Sequence, residues 1–357
     1  MAGTIKIREA RPQDNQALLE LQLNSPQGTA LILQLDRAPD FFSRSQPYEN
    51  RWVYVAEEDE RIVGSVECAL RKVNVNGSRC KAFYAFGIMV DPEQRRKGIA
   101  SMLQAEVDRT AEMEGADLMY VFIVEENTPS IRMAEKMGFQ HWKNLKQNLI
   151  MVYKELPIND TGRIRHLEGG DVGKVVELLN EMYMEHDFYL PYTEETFIEH
   201  VERMPHYGME DIYICEEEGE IKACLGYWEF YKVMTPTVLQ YSLSLRLQML
   251  MVKLLSLVTS VPKIPKKGEE SKTSVLTPLA YRDKRHMREL VKQVNNIALK
   301  NGVHFINIVT EDGSPQEELT AGYMKTEVTV LQLVKPLKDQ VYQLPSTRRL
   351  YVNAEDL

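Results

Sequence analysis

The residues whose types and spacing best suit chemistry lie in one stretch, from Val90 to Ala100. Three basic residues, Arg95 to Lys97, stand immediately before Gly98. The first turn of a helix has backbone N–H groups without intrahelical partners and a positive dipole, so it can hold a phosphate. Close approach requires small residues, because a Cβ atom would keep the phosphate away. The stretch predicts a phosphate-binding turn; the alternative is a basic surface turn before an amphipathic helix.

The elements on either side of this stretch are those that a phosphate-binding turn needs. Phe83 to Val90 is predicted as a strand, and Pro92 stops that strand from continuing as a regular ladder. Gly98 to Gly115 is predicted as a helix, followed by a strand from Leu118 to Val124 and a short helix from Ser130 to Met137. A position between a strand end and a helix start favours phosphate binding over the surface turn.

The two halves of the chain repeat one pattern. A short strand and a helix come first, then a hairpin with an acidic turn, a long helix and two more strands. The matching segments are Ile5–Arg8 with Arg163–His166, residues 15–23 with 171–184, 52–66 with 211–225, and the closing strands Gln147–Tyr153 with Thr326–Val334. The sequence therefore predicts two tandem mixed α/β (α+β) domains, each with a mostly antiparallel central sheet flanked by helices.

The seam between the two copies is expected at Leu156–Asp160, a short polar stretch that contains a proline. The predicted divisions are a first domain over residues 1–156, a second over 160–337 and a C-terminal tail over 338–357. A length of 357 residues suits two domains of ordinary size.

Composition narrows the classes of partner. A formal net charge of -9 argues against nonspecific nucleic-acid binding, which needs clustered basic charge. The 4 cysteines have no CxxC spacing, and the 7 histidines form no i, i+4 pair with an acid, so no metal is expected. Met1 to Ala10 has no apolar signal segment, which leads us to expect a cytoplasmic protein.

Residues 238–260 form an apolar insert in the second domain. Arg246 and Lys253 interrupt it, so no membrane-spanning helix is expected. Strand and helix both remain open for this insert, and we favour a helix that covers a groove or an interface. A second long insert, Gly28 to Asn50, lies between the first helix and the second strand of the first domain and is expected to shape its binding site.

The stretch Val90-Asp91-Pro92-Glu93-Gln94-Arg95-Arg96-Lys97-Gly98-Ile99-Ala100 resembles the Arg/Gln-x-x-Gly-x-Gly/Ala motif of the GCN5-related N-acetyltransferase (GNAT) family. Asn127, followed by Lys136-Met137-Gly138-Phe139, resembles the second motif of that family. The resemblance covers residues 4–153 well and residues 162–335 more faintly. It implies a tandem GNAT fold with a degenerate second copy.

The resemblance also implies a cosubstrate and its contacts. Acetyl-CoA would lie between two splayed strands, and its acetyl group would pass directly to a primary amine of a small molecule, a peptide or a protein. A β-bulge N–H near Met89 or Val90 would stabilise the oxyanion. The implied cosubstrate-binding residues are Ile88, Met89, Val90, Arg95, Arg96, Lys97, Gly98, Ile99, Ala100, Ser101 and Asn127.

The chain lacks the acid and the base that many family members use. Ala134 stands at the position of the usual tyrosine, and Phe86 with Gly87 stands where a glutamate is common. Glu67 and Tyr120 are the candidate catalytic substitutes, since both lie on strands near the expected thioester. Their alternative roles are a salt-bridged strand residue for Glu67 and a core aromatic for Tyr120.

The second copy departs further from the motif. Arg285 stands in place of Gly98 and Met287 in place of Ala100, so side chains would block the approach of a phosphate. We therefore expect one coenzyme A site per chain, in a monomer with pseudo-dimeric lobes or in a homodimer. Two other functions stay open: an acyl-CoA-binding regulatory protein without turnover, and a transferase of a longer acyl chain.

Overall fold

The computed structural model describes residues 4–28, 31–243, 245–246, 262–338 and 347–356 of the chain. Its helices are α1 (Asn15–Leu23), α2 (Ile99–Met113), α3 (Thr128–Lys136), α4 (Val172–Tyr183), α5 (Glu194–Arg203) and α6 (Lys284–Lys300). Its strands are β1 (Lys6–Glu9), β2 (Leu31–Asp36), β3 (Asn50–Glu58), β4 (Arg61–Val75), β5 (Ser78–Val90), β6 (Leu118–Val124), β7 (Gln140–Met151), β8 (Arg163–His166), β9 (Ile212–Glu217), β10 (Glu220–Trp228), β11 (Thr235–Tyr241), β12 (Thr273–Tyr281), β13 (Phe305–Glu311) and β14 (Lys325–Pro336).

The mixed α/β class predicted from the sequence is confirmed, and the two copies share one 12-stranded sheet. Its order is β1-β3-β4-β5-β6-β14-β7-β13-β12-β10-β9-β8. The last strand of each copy has crossed to the other: β14 pairs with β6 of the first copy, and β7 pairs with β13 of the second. β7 and β14 also pair with each other along the middle of the sheet. Each lobe is therefore completed by a strand from the opposite half of the chain.

The internal repeat extends to individual contacts. In the first copy Arg8 contacts Asp14 at 2.7 Å and Glu57 at 2.6 Å. In the second copy Arg165 contacts Asp171 at 2.5 Å and its hairpin glutamate at 2.8 Å. The long helices repeat as well, since each buries a Leu, a Val and an Ala at spacings of four residues. These buried residues are Leu103, Val107 and Ala111 of α2, and Leu290, Val294 and Ala298 of α6. Spacings of four residues keep these side chains on one face, which packs on the sheet.

The parallel strands at the centre of each lobe pair over a short length and then separate. β5 and β6 are paired only from Ala82 with Leu118 to Tyr84 with Tyr120. β12 and β13 are paired only from Thr273 with Phe305 to Val275 with Asn307. Beyond these pairs the strands diverge, and we call the opening between β5 and β6 the fork. The backbone of β5 beyond Tyr84 is thus unpaired on its β6 side.

The two inserts meet in a separate two-stranded sheet formed by β2 and β11. The expected helix over 238–260 is wrong at its start, because the alternating residues up to Tyr241 form β11 against β2. Residues 247–260 of this insert lie outside the described residues. None of the helices in the described ranges is long and apolar enough to cross a membrane.

Candidate functional site

The predicted phosphate-binding turn lies at the start of α2, where β5 ends. The carboxylate of Asp91 accepts hydrogen bonds from the Glu93 N–H at 2.9 Å and from Arg61 at 2.5 Å, which fixes the chain as it leaves the strand. Gly98 is the N-cap residue of α2 and adopts the left-handed conformation, with φ 80°. A side chain at this position would strain the backbone, so glycine is favoured here.

The first turn of α2 offers free donors toward open space. The N–H of Met102 bonds to the carbonyl of Gly98 at 3.1 Å, so the N–H groups of Ile99 to Ser101 precede the first intrahelical bond. A Cβ atom built on Gly98 would meet no heavy atom within 4 Å. The side chains of Arg95 to Lys97 are exposed beside this space. The turn therefore has the donors, the access and the positive charge that a pyrophosphate requires.

A β-bulge lies on β5 inside the fork. Ser65 pairs with Met89 and Glu67 pairs with Phe86, so Gly87 and Ile88 together face the single residue between Ser65 and Glu67. Gly87 has a φ of 60°. The bulge is thus formed by Gly87 and Ile88, just before Met89 and Val90, the two residues near which the family resemblance implied a bulge. Extra residues in a bulge turn backbone N–H groups out of the ladder, which makes them available to an oxyanion.

Glu67 is fully buried on β4 beside this bulge. Its Oε1 accepts a hydrogen bond from Arg37 at 2.5 Å, and both side chains of this ion pair are buried. The same oxygen would lie 2.6 Å from a Cβ atom built on Gly87, so the carboxylate touches the bulge. Glu67 Oε2 has no hydrogen-bond partner among the described residues. Glu67 is therefore a salt-bridged strand residue that also lies against the bulge.

Tyr120 lies at the base of the fork. Its ring stacks on that of Tyr84 at 4.8 Å between centroids, and Tyr84 stacks on Phe86 at 4.7 Å. Tyr84 and Tyr120 are the last paired residues of β5 and β6, so this stack closes the bottom of the opening. Burial raises the pKa of the Tyr120 hydroxyl well above its usual value, and the nearby Asp356 carboxylate raises it further.

The C-terminal segment occupies the same place, which the sequence did not predict. Asp356 accepts hydrogen bonds from Arg71 at 2.5 Å, from Tyr48 at 2.8 Å and from Tyr120 at 3.3 Å. Tyr84 donates to the backbone oxygen of Asp356. Burial raises the pKa of Asp356, although Arg71 opposes this effect. Since Asp356 is over two hundred residues from these partners, no local sequence signal connects them.

Asn127 and Ala134 belong to α3. Asn127 is exposed and caps the helix, because its side-chain oxygen accepts from the Ser130 N–H at 3.3 Å. Ala134 is buried in the core between α2 and the sheet. It has no group that could donate a proton, so α3 contributes no acid at this position.

The corresponding turn of the second lobe supplies its own anion. Asp283 is the N-cap residue of α6 and accepts from the Arg285 N–H at 2.8 Å. Its carboxylate also pairs with the Arg285 side chain at 2.6 Å, and this hydrogen bond lowers the pKa of Asp283 to about 2. A carboxylate thus already occupies the place at the helix N-terminus where a phosphate would bind.

A metal site is not formed by the described residues, among which no three His, Cys, Asp or Glu side chains are grouped for one. The four cysteines are buried and form no disulfide. Burial raises the pKa of Cys224 to about 12, which makes a nucleophilic role unfavourable for that thiol.

Comparison with known proteins agrees with this arrangement. Residues 6–142 match the sequence profile described as "Acetyltransferase (GNAT) domain". The comparison with curated proteins gives no match.

Among solved structures, the chain is similar to Saccharomyces cerevisiae N-myristoyltransferase with bound myristoyl-CoA. The identity is 12%, with 99% of this chain and 90% of that chain covered and a TM-score of 0.66. It is also similar to a GCN5-related N-acetyltransferase from Sphaerobacter thermophilus, at 12% identity, 95% and 97% coverage and a TM-score of 0.58. At such identities the likeness is one of fold. The match over residues 6–142 confirms the resemblance predicted from the sequence and identifies the first lobe as a GNAT acetyltransferase domain.

Proposed function

We propose that the chain is an N-acetyltransferase that holds acetyl-CoA in its first lobe and passes the acetyl group to a primary amine. The observation that carries the proposal is that one strand, β5, has the bulge at Gly87 within it and leads at its end to the open turn at Gly98, which defines a path along its backbone. One end of this path suits a pyrophosphate and the other suits a developing oxyanion. Bound acetyl-CoA supplies the thioester, which is the acyl donor.

The residues that would hold acetyl-CoA follow this path. The N–H groups of Ile99 to Ser101 would receive the pyrophosphate, and Arg95 to Lys97 would add positive charge. The unpaired backbone of Ile88 to Val90 would bond to the pantetheine arm. Asn127 would contact the arm with its amide N–H₂, since its oxygen is engaged in the cap of α3. The self-capped turn of the second lobe supports one site per chain.

We assign proton transfer from the amine to Glu67. Its Oε2 is unpartnered beside the bulge, and the Arg37 guanidinium fixes the other oxygen. After attack, the proton on nitrogen would pass to Glu67 directly or through one water molecule. The departing thiolate needs little assistance, because a thiol pKa is about 8.5. Tyr120 would act indirectly: its hydroxyl donates to Asp356, and this hydrogen bond would hold the side chains at the bottom of the fork in position.

An acetyl group suits the fork better than a long acyl chain. The stack of Phe86, Tyr84 and Tyr120 and the buried C-terminal segment fill the base of the opening. A longer chain would have to displace these side chains.

Thiol release from a series of acyl-CoAs tests the proposal. The purified chain is incubated with acetyl-, butyryl-, octanoyl- or myristoyl-CoA and a panel of amines that includes polyamines, amino sugars and peptides with free N-termini. We expect amine-dependent release that is fastest with acetyl-CoA, and loss of release in Glu67→Gln. Tight binding without release from any pair would establish a regulatory binder instead. Faster release from octanoyl- or myristoyl-CoA would identify a long-chain transferase.

A further inference from the structure

A cavity of about 570 Å³ lies in the second lobe, away from the fork. It is bounded by α6, by the end of β7 with the following linker, and by the turn Ala321–Met324 before β14. We call it the linker groove. No described residue of β12 or β13 lines it, so it is separate from the opening between those strands. Its volume falls in the range of about 300–1,000 Å³ that is usual for small-molecule sites.

The wall made by the linker is fixed to α6 by buried polar contacts. Asn296 exchanges hydrogen bonds with the backbone of Leu156, at 2.8 Å and 2.9 Å. Asn295 donates to the carbonyl of Lys154 at 3.0 Å. Glu289 accepts from the N–H and the side chain of Asn159, at 2.7 Å and 3.0 Å. The groove is therefore a preformed feature and not a gap between loosely packed parts.

The lining of the linker groove is basic, although the whole chain has a net charge of -9. Four basic residues and one acidic residue line it: Arg285, Arg288, Lys292, Lys154 and Glu289. Glu289 is balanced by Lys292, which contacts it at 2.8 Å, and Arg285 pairs with Asp283 outside the groove. Arg288 donates to the carbonyl of Glu318 at 3.1 Å. Among the described residues, neither Arg288 nor Lys154 forms a salt bridge, and the Lys154 ammonium lies 5.4 Å from the centre of the Tyr153 ring. Neither charge is therefore neutralised by a direct ion pair.

The rest of the lining is largely apolar. Met151, Leu156 and Met324 supply aliphatic surface, and Tyr153 and Tyr323 supply aromatic surface. Burial raises the pKa of Tyr323 to about 12, so this side chain is neutral at physiological pH. An apolar body with one anionic group would match both parts of the lining.

We propose that the linker groove binds a small anion of this kind, a phosphate or carboxylate group on an apolar or aromatic body. Arg288 and Lys154 bind the anionic group, and the tyrosine and methionine side chains cover the body. The site is independent of acetyl-CoA binding in the first lobe. Nucleotides and fatty acids both carry this chemistry, and the experiment separates them.

The test is calorimetric titration of the full chain with ADP and, separately, with laurate, in the Gly98→Glu background that closes the first-lobe turn. We expect one saturable site for one of the two probes. Arg288→Glu should weaken that site at least about tenfold, because it removes a charge-assisted contact. Ala321→Trp, which fills the groove without changing its charge, should weaken it equally. The matched control is Lys300→Glu, at the exposed end of the same helix, which should leave affinity within about twofold.

The outcomes are distinct. Saturable binding of ADP alone assigns the groove to nucleotides, and binding of laurate alone assigns it to acyl anions. Absence of saturable binding by either probe overturns the proposal. Affinity that is unchanged in both Arg288→Glu and Ala321→Trp also overturns it. An equal loss of affinity in Lys300→Glu overturns it too, because that loss would reflect the overall charge of the chain. Melting temperatures of all variants verify that each is folded.

Discussion

The conformation of Gly98 allows a sharp test of cosubstrate binding. Gly98→Glu places a carboxylate at the first turn of α2, where a built Cβ meets open space, so no packing is lost. A residue with a side chain must then hold its backbone at a φ of 80°, which costs about 1–2 kcal/mol of stability. A carboxylate about 4 Å from a phosphate oxygen adds repulsion between roughly 1 kcal/mol in water and 4 kcal/mol near a protein surface. We expect acetyl-CoA affinity to fall at least about 100-fold, which corresponds to about 2.7 kcal/mol.

The matched control lies at the other end of the same helix. Gly115 has a φ of 68° and likewise meets no atom within 4 Å of a built Cβ. Gly115→Glu therefore imposes the same strain and the same charge, but about 20 Å or more from the turn at the rise of an α-helix. Calorimetry with acetyl-CoA should show wild-type affinity for Gly115→Glu, and both variants should lose similar thermal stability. Wild-type affinity in Gly98→Glu would refute the assignment of this turn to the pyrophosphate.

Four further predictions concern the groups around the fork and the second lobe. Arg37→Met leaves Glu67 buried without its counter-charge and should lower the free energy of unfolding by about 3–5 kcal/mol; urea unfolding measures it, and a loss below about 1 kcal/mol would contradict the buried ion pair. Arg71→Met should destabilise comparably, and Asp356→Asn should recover part of that loss in the double variant, as a double-mutant cycle would show. Tyr120→Phe should change kcat more than KM if the hydroxyl positions the base of the fork, whereas an unchanged kcat would leave Tyr120 a core residue. Burial, together with Lys263 and Lys272, lowers the pKa of His304, so the folded state keeps it neutral; stability should be full above the unfolded pKa of about 6.5, fall as pH drops below it, and fall less in His304→Gln, as thermal melts between pH 5 and 8 would show.

Much of the fold could be predicted because its local patterns are strong. The apolar periodicity after Gly98 indicates a helix, and the apolar run that ends before Pro92 indicates a strand. The structure has α2 and β5 at these positions. The predicted closing strand Thr326–Val334 falls within β14. What the sequence could not predict is where this strand pairs. Both halves end in similar apolar strands, so nothing local distinguishes pairing within a copy from exchange between copies.

The candidate site divides in the same way. The turn at Gly98 has its donors, its glycine and its basic residues in one stretch, so sequence alone could propose it. Glu67 could be proposed only as a strand residue of uncertain direction, since its partner Arg37 lies in an insert without regular periodicity. The contact of Asp356 with Tyr48 and Tyr120 joins opposite ends of the chain. Contacts at such separation depend on tertiary packing, which local propensity does not encode.

The exchange of closing strands has a consequence for the order in which the molecule can form. On its β14 edge, β6 acquires its partner only when Val330 pairs with Val124, about 200 residues later in the chain, or roughly 10–40 s later at synthesis rates of about 5–20 residues/s. Until then an apolar strand edge of the first lobe is open to wrong partners. During this interval a nascent chain would stay productive only if chaperones covered this edge or if aggregation were slower than synthesis. The acyl donor should gain a complete site only after the second lobe has been made.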